Sequence, residues 1–105
     1  MGAAEFETAV QRLITQVGHW ETGRWGARAS AAVGTRGETV FALVQRLADL
    51  AADVEQHPHR PVPRLADTVL PDQVRVMADD LLAAGPPEDL LVRATEDLTA
   101  VRAAL

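Results

Sequence analysis

Four stretches of this chain carry apolar residues at helical spacing. Phe6, Val10, Leu13 and Val17 recur at intervals of four, three and four, with Ile14 alongside. On a helical wheel they fall within about 100° of one another, which predicts an amphipathic helix over residues 4–18. Gly18 is placed to stop it in the left-handed conformation that suits a C-cap. The clearest pattern covers residues 36–56, where Val40, Leu43, Val44, Leu47, Leu50, Ala51 and Val54 make one broad apolar face. Thr35 and Glu38 have the spacing of a capping box at its start. Pro58 ends it at Gln56 or His57, because the residue before a proline is pushed out of the helical region.

Two further helices follow. Over residues 71–84 the stripe is Leu70, Val74, Met77, Ala78 and Leu81, with Pro71 and Asp72 suited to a helix start. Gly85-Pro86-Pro87 breaks the chain. Over residues 87–104, Leu91, Ala94, Leu98, Val101 and Leu105 keep a heptad seam to the final residue. Residues 57–64 read as a stiff, solvated, proline-rich connector. Residues 18–37 hold five of the seven glycines and both tryptophans, and no stripe claims them; a short Ala-rich helix is possible from Arg24 to Val33. No window alternates β-branched or aromatic residues at strand spacing over any useful length. The pattern therefore predicts an all-α fold, a compact bundle of about four helices in one domain over residues 1–105. An irregular Gly/Trp/Arg segment separates its first two helices.

Composition narrows the functions more than it suggests one. With 105 residues, 48% hydrophobic and 24% charged, the chain is an ordinary globular domain. It has no cysteine, which removes disulfides, thiolate metal sites and cysteine nucleophiles. The start lacks the basic and apolar regions of a secretory signal, and no apolar run approaches the ~20 residues of a membrane span. A cytoplasmic protein with no membrane contact is the expectation. Every basic residue is arginine, lysine is absent and alanine occurs nineteen times, a composition expected of a GC-rich bacterial genome. The net charge of −5 arises wholly within residues 65–105, where three arginines face eight acids. Such a surface repels phosphate backbones, so broad nucleic-acid binding is disfavoured.

One segment runs against that charge. Trp20, Arg24, Trp25, Arg28 and Arg36 cluster in a glycine-rich stretch where three arginines face only Glu21. Guanidinium groups pair bidentately with carboxylate or phosphate, and an indole offers a stacking face. Tryptophan and arginine are also enriched at interface hot spots. These five residues are the candidate binding site, with Trp20, Arg24, Trp25 and Arg28 expected on an exposed surface. The competing reading has both indoles closing the core and the arginines solvated. Gly34-Thr35-Arg36-Gly37 leads into a helix and offers free amides to an anion, but it lacks the lysine of a phosphate-binding loop.

Other chemistry is sparse. His57 and His59 flank Pro58 near Glu55, yet residues two apart in an extended chain point to opposite sides, so no metal site is expected. Ser30 is the only serine and lacks the glycine-flanked elbow of a nucleophile. The acidic pairs at 79–80, 88–89 and 96–97 diverge by about 100° on a helix and are not poised as acid and base; Asp79 is within reach of Arg75. No cofactor is implied and nothing argues for an enzyme. The expectation is a non-enzymatic protein-interaction or regulatory module. The alternative is a small binding protein for an anionic ligand or nucleic acid, working through residues 20–36. Self-association is also expected, because the last seam runs to Leu105 while Val76 and Val92 lie outside the stripes of their own helices.

Overall fold

The computed structural model describes residues 2–30 and 34–105. Helix α1 spans Ala3–Val17 and the single-turn α2 spans Thr22–Trp25. The longest, α3, spans Arg36–Glu55, and α4 (Leu70–Ala83) and α5 (Glu88–Ala104) complete an all-α fold of four substantial helices. Each stripe read from the sequence faces inward. Phe6, Val10, Leu13 and Val17 of α1 are fully buried, as are Val40, Val44 and Leu47 of α3 and Val74, Ala78 and Leu81 of α4. Among the described residues no polar or charged residue is buried, so the core is held by apolar contact alone.

Side-chain contacts define the topology. The start of α1 lies against the start of α5, with Gly2 facing Leu91 and Glu88, and Arg102 near the end of α5 donates to Gln16 near the end of α1. Those two helices run parallel. Arg46 of α3 pairs with Asp97 of α5 at 2.7 Å, and Thr39 shares a cleft with Val101, so α3 and α5 are antiparallel. Asp67, just before α4, abuts Gly37 at the start of α3, while Ala51 and Ala84 line one cleft at the other end. Helices α3 and α4 are therefore parallel, which requires the connector between them to return along the bundle.

That return is where the structure departs from a solvated linker. Gln45 of α3 grips the connector with both ends of its amide: Nε2 donates to the Arg60 carbonyl at 3.0 Å, and Oε1 accepts from Val62 N at 2.8 Å. Val62 is buried, Gln73 donates to the Pro63 carbonyl, and the Arg64 guanidinium lies 4.8 Å from the Phe41 ring centre. A proline-rich segment cannot form backbone ladders of its own, so it borrows partners from side chains of the helices it crosses.

Local capping follows expectation at α3 and differs at α1. Thr35 Oγ1 accepts from Glu38 N at 3.1 Å, and Glu38 Oε1 accepts from Thr35 N at 2.9 Å. The Thr35 backbone N–H, and after it the Thr35 hydroxyl, hold the Glu38 carboxyl below its usual range. Gln56, at φ 57°, takes the left-handed turn that ends α3. Gly18 keeps a right-handed φ of −63° and closes α1 through a bond to the Ile14 carbonyl. Arg75 reaches Asp79 at 2.7 Å as its spacing implies, and it also grips both oxygens of Glu7 on α1. The Glu7 contact, aided by Asp79, raises the Arg75 pKa. In α5 the seam is buried at Leu91, Ala94 and Leu98, while Val101 and Leu105 are half-buried against the same core. Val76 is 52% exposed and Val92 half-buried. No helix among the described residues is long and apolar enough to cross a membrane.

Candidate functional site

The candidate segment folds back on itself in two steps. After α1, Trp20 N bonds the Val17 carbonyl at 3.1 Å, turning the indole toward the bundle. Arg24 N and Trp25 N both bond the Glu21 carbonyl, and the resulting single turn of helix points Trp25 inward and Arg24 outward. The chain then doubles back through an antiparallel bridge between Arg28 and Thr35, with Ala29 N on the Gly34 carbonyl and Arg36 N on the Ala27 carbonyl. Gly34 is needed at the turn, where φ is +99°. The short helix falls at 22–25 and residues 26–30 are not helical; residues 31–33 of the 24–33 run lie outside the described residues.

Both indoles are buried, as the reading in which they close the core holds, and this corrects the expectation of an exposed tryptophan surface. Trp25 is 0% exposed and Trp20 7%. Their rings meet edge to face, 5.0 Å between centres at 69°, a favoured geometry for aromatic pairs. The physical reason is area: two indoles carry a large apolar surface that is costly to leave in water, and both join the hydrophobic core. Neither indole Nε1 has a hydrogen-bond partner among the described residues.

Arg24 and Arg28 remain outside, and Arg36 is half-buried beside them with its Nε shielded and unpartnered among the described residues. The Arg24 guanidinium sits 5.0 Å from the centre of the Trp20 ring and that of Arg36 5.2 Å from the same centre. Arg36 Nη1 donates to the Arg24 carbonyl at 3.3 Å, which ties the two together. Arg28 is exposed on the bridge beside them, while the cations over the ring among the described residues are Arg24 and Arg36. None of the three makes an ion pair among the described residues, whereas Arg46, Arg64 and Arg75 each hold a carboxylate. A guanidinium seated over an indole keeps its outer N–H groups available to a carboxylate or phosphate: the whole fork for Arg24, and chiefly Nη2 for Arg36, whose Nη1 holds the Arg24 carbonyl and whose Nε is buried. The structure thus brings Trp20, Arg24 and Arg36 together, places Arg28 alongside, and gives Trp25 a supporting role underneath.

The remaining candidates resolve into structural contacts. The Gly34-Thr35-Arg36-Gly37 turn already has the protein's own carboxylates at its helix end: Glu38 caps it, and a Cβ on Gly37 would lie 2.7 Å from the Asp67 carboxyl. His59 Nε2 is 2.6 Å from Asp53 Oδ1, apart from His57, which lines a cleft of about 600 Å³ between the ends of α3 and α4. Among the described residues no group of three or more metal-ligating side chains converges. Ser30 donates its hydroxyl to the Ala104 carbonyl at 2.9 Å, docking the segment onto the end of α5. Sequence reasoning missed a groove between α1 and α5 carrying Arg12 and Arg102, whose polar residues read as a solvated helix face. Compared with known proteins, the chain matches no family model, no curated protein and no solved structure.

Proposed function

We propose that this chain is a non-enzymatic binding module that takes an acidic segment of a protein partner on the arginine face covering Trp20. One observation carries the reading: Arg24 and Arg36 are stacked on a single indole, with no carboxylate partner among the described residues, in a chain of net charge −5. Like charges held side by side repel, and an incoming carboxylate relieves that repulsion while gaining charge-assisted hydrogen bonds. Stacking fixes both side chains in advance, so less rotamer freedom is lost on binding. The overall negative charge favours a short acidic peptide segment over an extended phosphate backbone, which would meet acidic surface beyond the patch.

The test uses Trp20 as its own reporter. A glutamate-rich peptide titrated into the protein should change tryptophan fluorescence saturably, less so as salt rises, and Arg24→Glu with Arg36→Glu should abolish the change. A flat titration at low salt overturns the proposal. Duplex DNA binding more tightly than the peptide, through the same arginines, would replace it with the nucleic-acid reading.

A further inference from the structure

A second cationic feature lies along the outer seam of α1 and α5, and no residue of the Trp20 face contributes to it. The two parallel helices leave a groove made of adjoining clefts of about 430 and 540 Å³, and Thr8, Arg12 and Arg102 line both. Arg102 is held in position, since its Nε donates to Gln16 Oε1 at 2.8 Å; its terminal amino groups remain available. Arg12 has neither an ion pair nor a hydrogen-bond partner among the described residues. The only carboxylate on either lining is Glu5, at one end. It is already engaged, accepting from Gly2 N at 2.7 Å, and that bond lowers its pKa.

The rest of the lining is neutral and hydrogen-bonding. Thr15 and Thr99 are exposed along the groove, Thr15 accepting from Gln11 Nε2 at 3.5 Å, while the Thr95 hydroxyl is bound to the Leu91 carbonyl at 2.8 Å. Ala4, Ala9 and Leu98 supply a small apolar floor. Two guanidinium groups, hydroxyls and amides therefore share a groove whose walls are both helices, so no loop has to be ordered on binding.

We infer that this groove is a binding site for a small oxyanionic molecule, one that carries a phosphate or carboxylate group on a hydroxylated body. Arg12 and Arg102 take the anionic group, as guanidinium forks do for both kinds of oxyanion. The threonine and glutamine side chains take the hydroxyls. Glu5 sets the orientation, since its charge keeps the anionic end toward Arg102.

Amide-resolved NMR titration tests this with two probes, inorganic phosphate and citrate. Each should shift amides of residues 8–16 and 95–102 saturably, with a dissociation constant in the millimolar range or below, about the affinity a two-arginine contact supports; the tighter probe identifies the preferred acid group. Arg12→Gln and Arg102→Gln should each weaken binding about tenfold, and Thr8→Glu, which places a carboxylate in the groove, should abolish it. All three positions are exposed, and an unchanged far-ultraviolet circular dichroism spectrum verifies the fold of each variant. Arg24→Gln should leave binding unchanged, which separates this site from the Trp20 face. Shifts that do not saturate, that survive Arg12→Gln with Arg102→Gln, or that centre on Trp20 and Arg36 overturn the inference.

Discussion

Trp25→Ala is the perturbation that most directly probes how the Trp/Arg segment is built. The side chain is fully buried. A tryptophan buries about 150–250 Å², worth about 4–6 kcal/mol at ~25 cal/mol per Å². Alanine recovers part of that, and the edge-to-face pair with Trp20 adds about 0.5–1.5 kcal/mol to the loss. One term opposes: the Trp25 Nε1 has no hydrogen-bond partner among the described residues, and deleting it removes a desolvation penalty of about 1–3 kcal/mol. The net cost is about 3–5 kcal/mol, the range typical of such truncations. The same accounting makes Trp25→Phe milder, about 1–2 kcal/mol, because a six-membered ring stays and the orphaned N–H goes while the lost five-membered ring leaves a small cavity. Urea denaturation followed by circular dichroism reads both. For a denaturant slope of ~1.5–2 kcal/mol per M, the alanine variant should lose about 2 M in midpoint. Emission from the remaining Trp20 should shift to the red as its edge contact is lost. A midpoint within about 0.5 M of wild type would refute the buried-pair account.

Other consequences are simpler to check. Leu47→Ala, at the fully buried centre of α3, should cost about 2–5 kcal/mol by the same urea assay. Thr35→Ala removes the hydroxyl that accepts from Glu38 N and should cost about 1 kcal/mol, seen as a lower thermal midpoint. His59 carries a raised pKa, chiefly from its bond to Asp53 and then from nearby Asp49. A group whose folded pKa is raised stabilises fully below its unfolded value, about 6.5, and loses that contribution as pH climbs through the folded value. The stability gap between wild type and His59→Asn should therefore be widest in mild acid and shrink toward alkaline pH, and a gap independent of pH would show the clamp on α3 to be inert.

The helices were legible because each is specified by short-range pattern. The stripe beginning at Phe6 and the cap at Thr35 need only their own neighbours. The 18–37 segment was legible as a distinct region, but the direction of its indoles was not. Burial of Trp20 and Trp25 depends on where α1 ends relative to α3, a long-range fact with no local signature. Stacking of Arg24 and Arg36 on one ring likewise needs the reversal at Gly34 to bring residues twelve apart together. The connector misled for a related reason. Proline-rich composition predicts stiffness, whereas its course along α3 is set by Gln45, a residue that reads as an ordinary polar helix position. Arg12 and Arg102 share a groove only because α1 and α5 are parallel neighbours, which no spacing along the chain encodes.

The measurement that bears most directly on the proposed binding face is the NMR spectrum of the arginine Nε–H groups during titration with a glutamate-rich peptide. The Arg24 and Arg36 signals should move saturably and together, since both guanidiniums sit on Trp20 and share one ligand. Signals of Arg46, Arg64 and Arg75, already held by Asp97, Asp67 and Glu7, should stay in place. Stationary Arg24 and Arg36 signals beside shifts elsewhere, or no shift anywhere at low salt, would contradict the account.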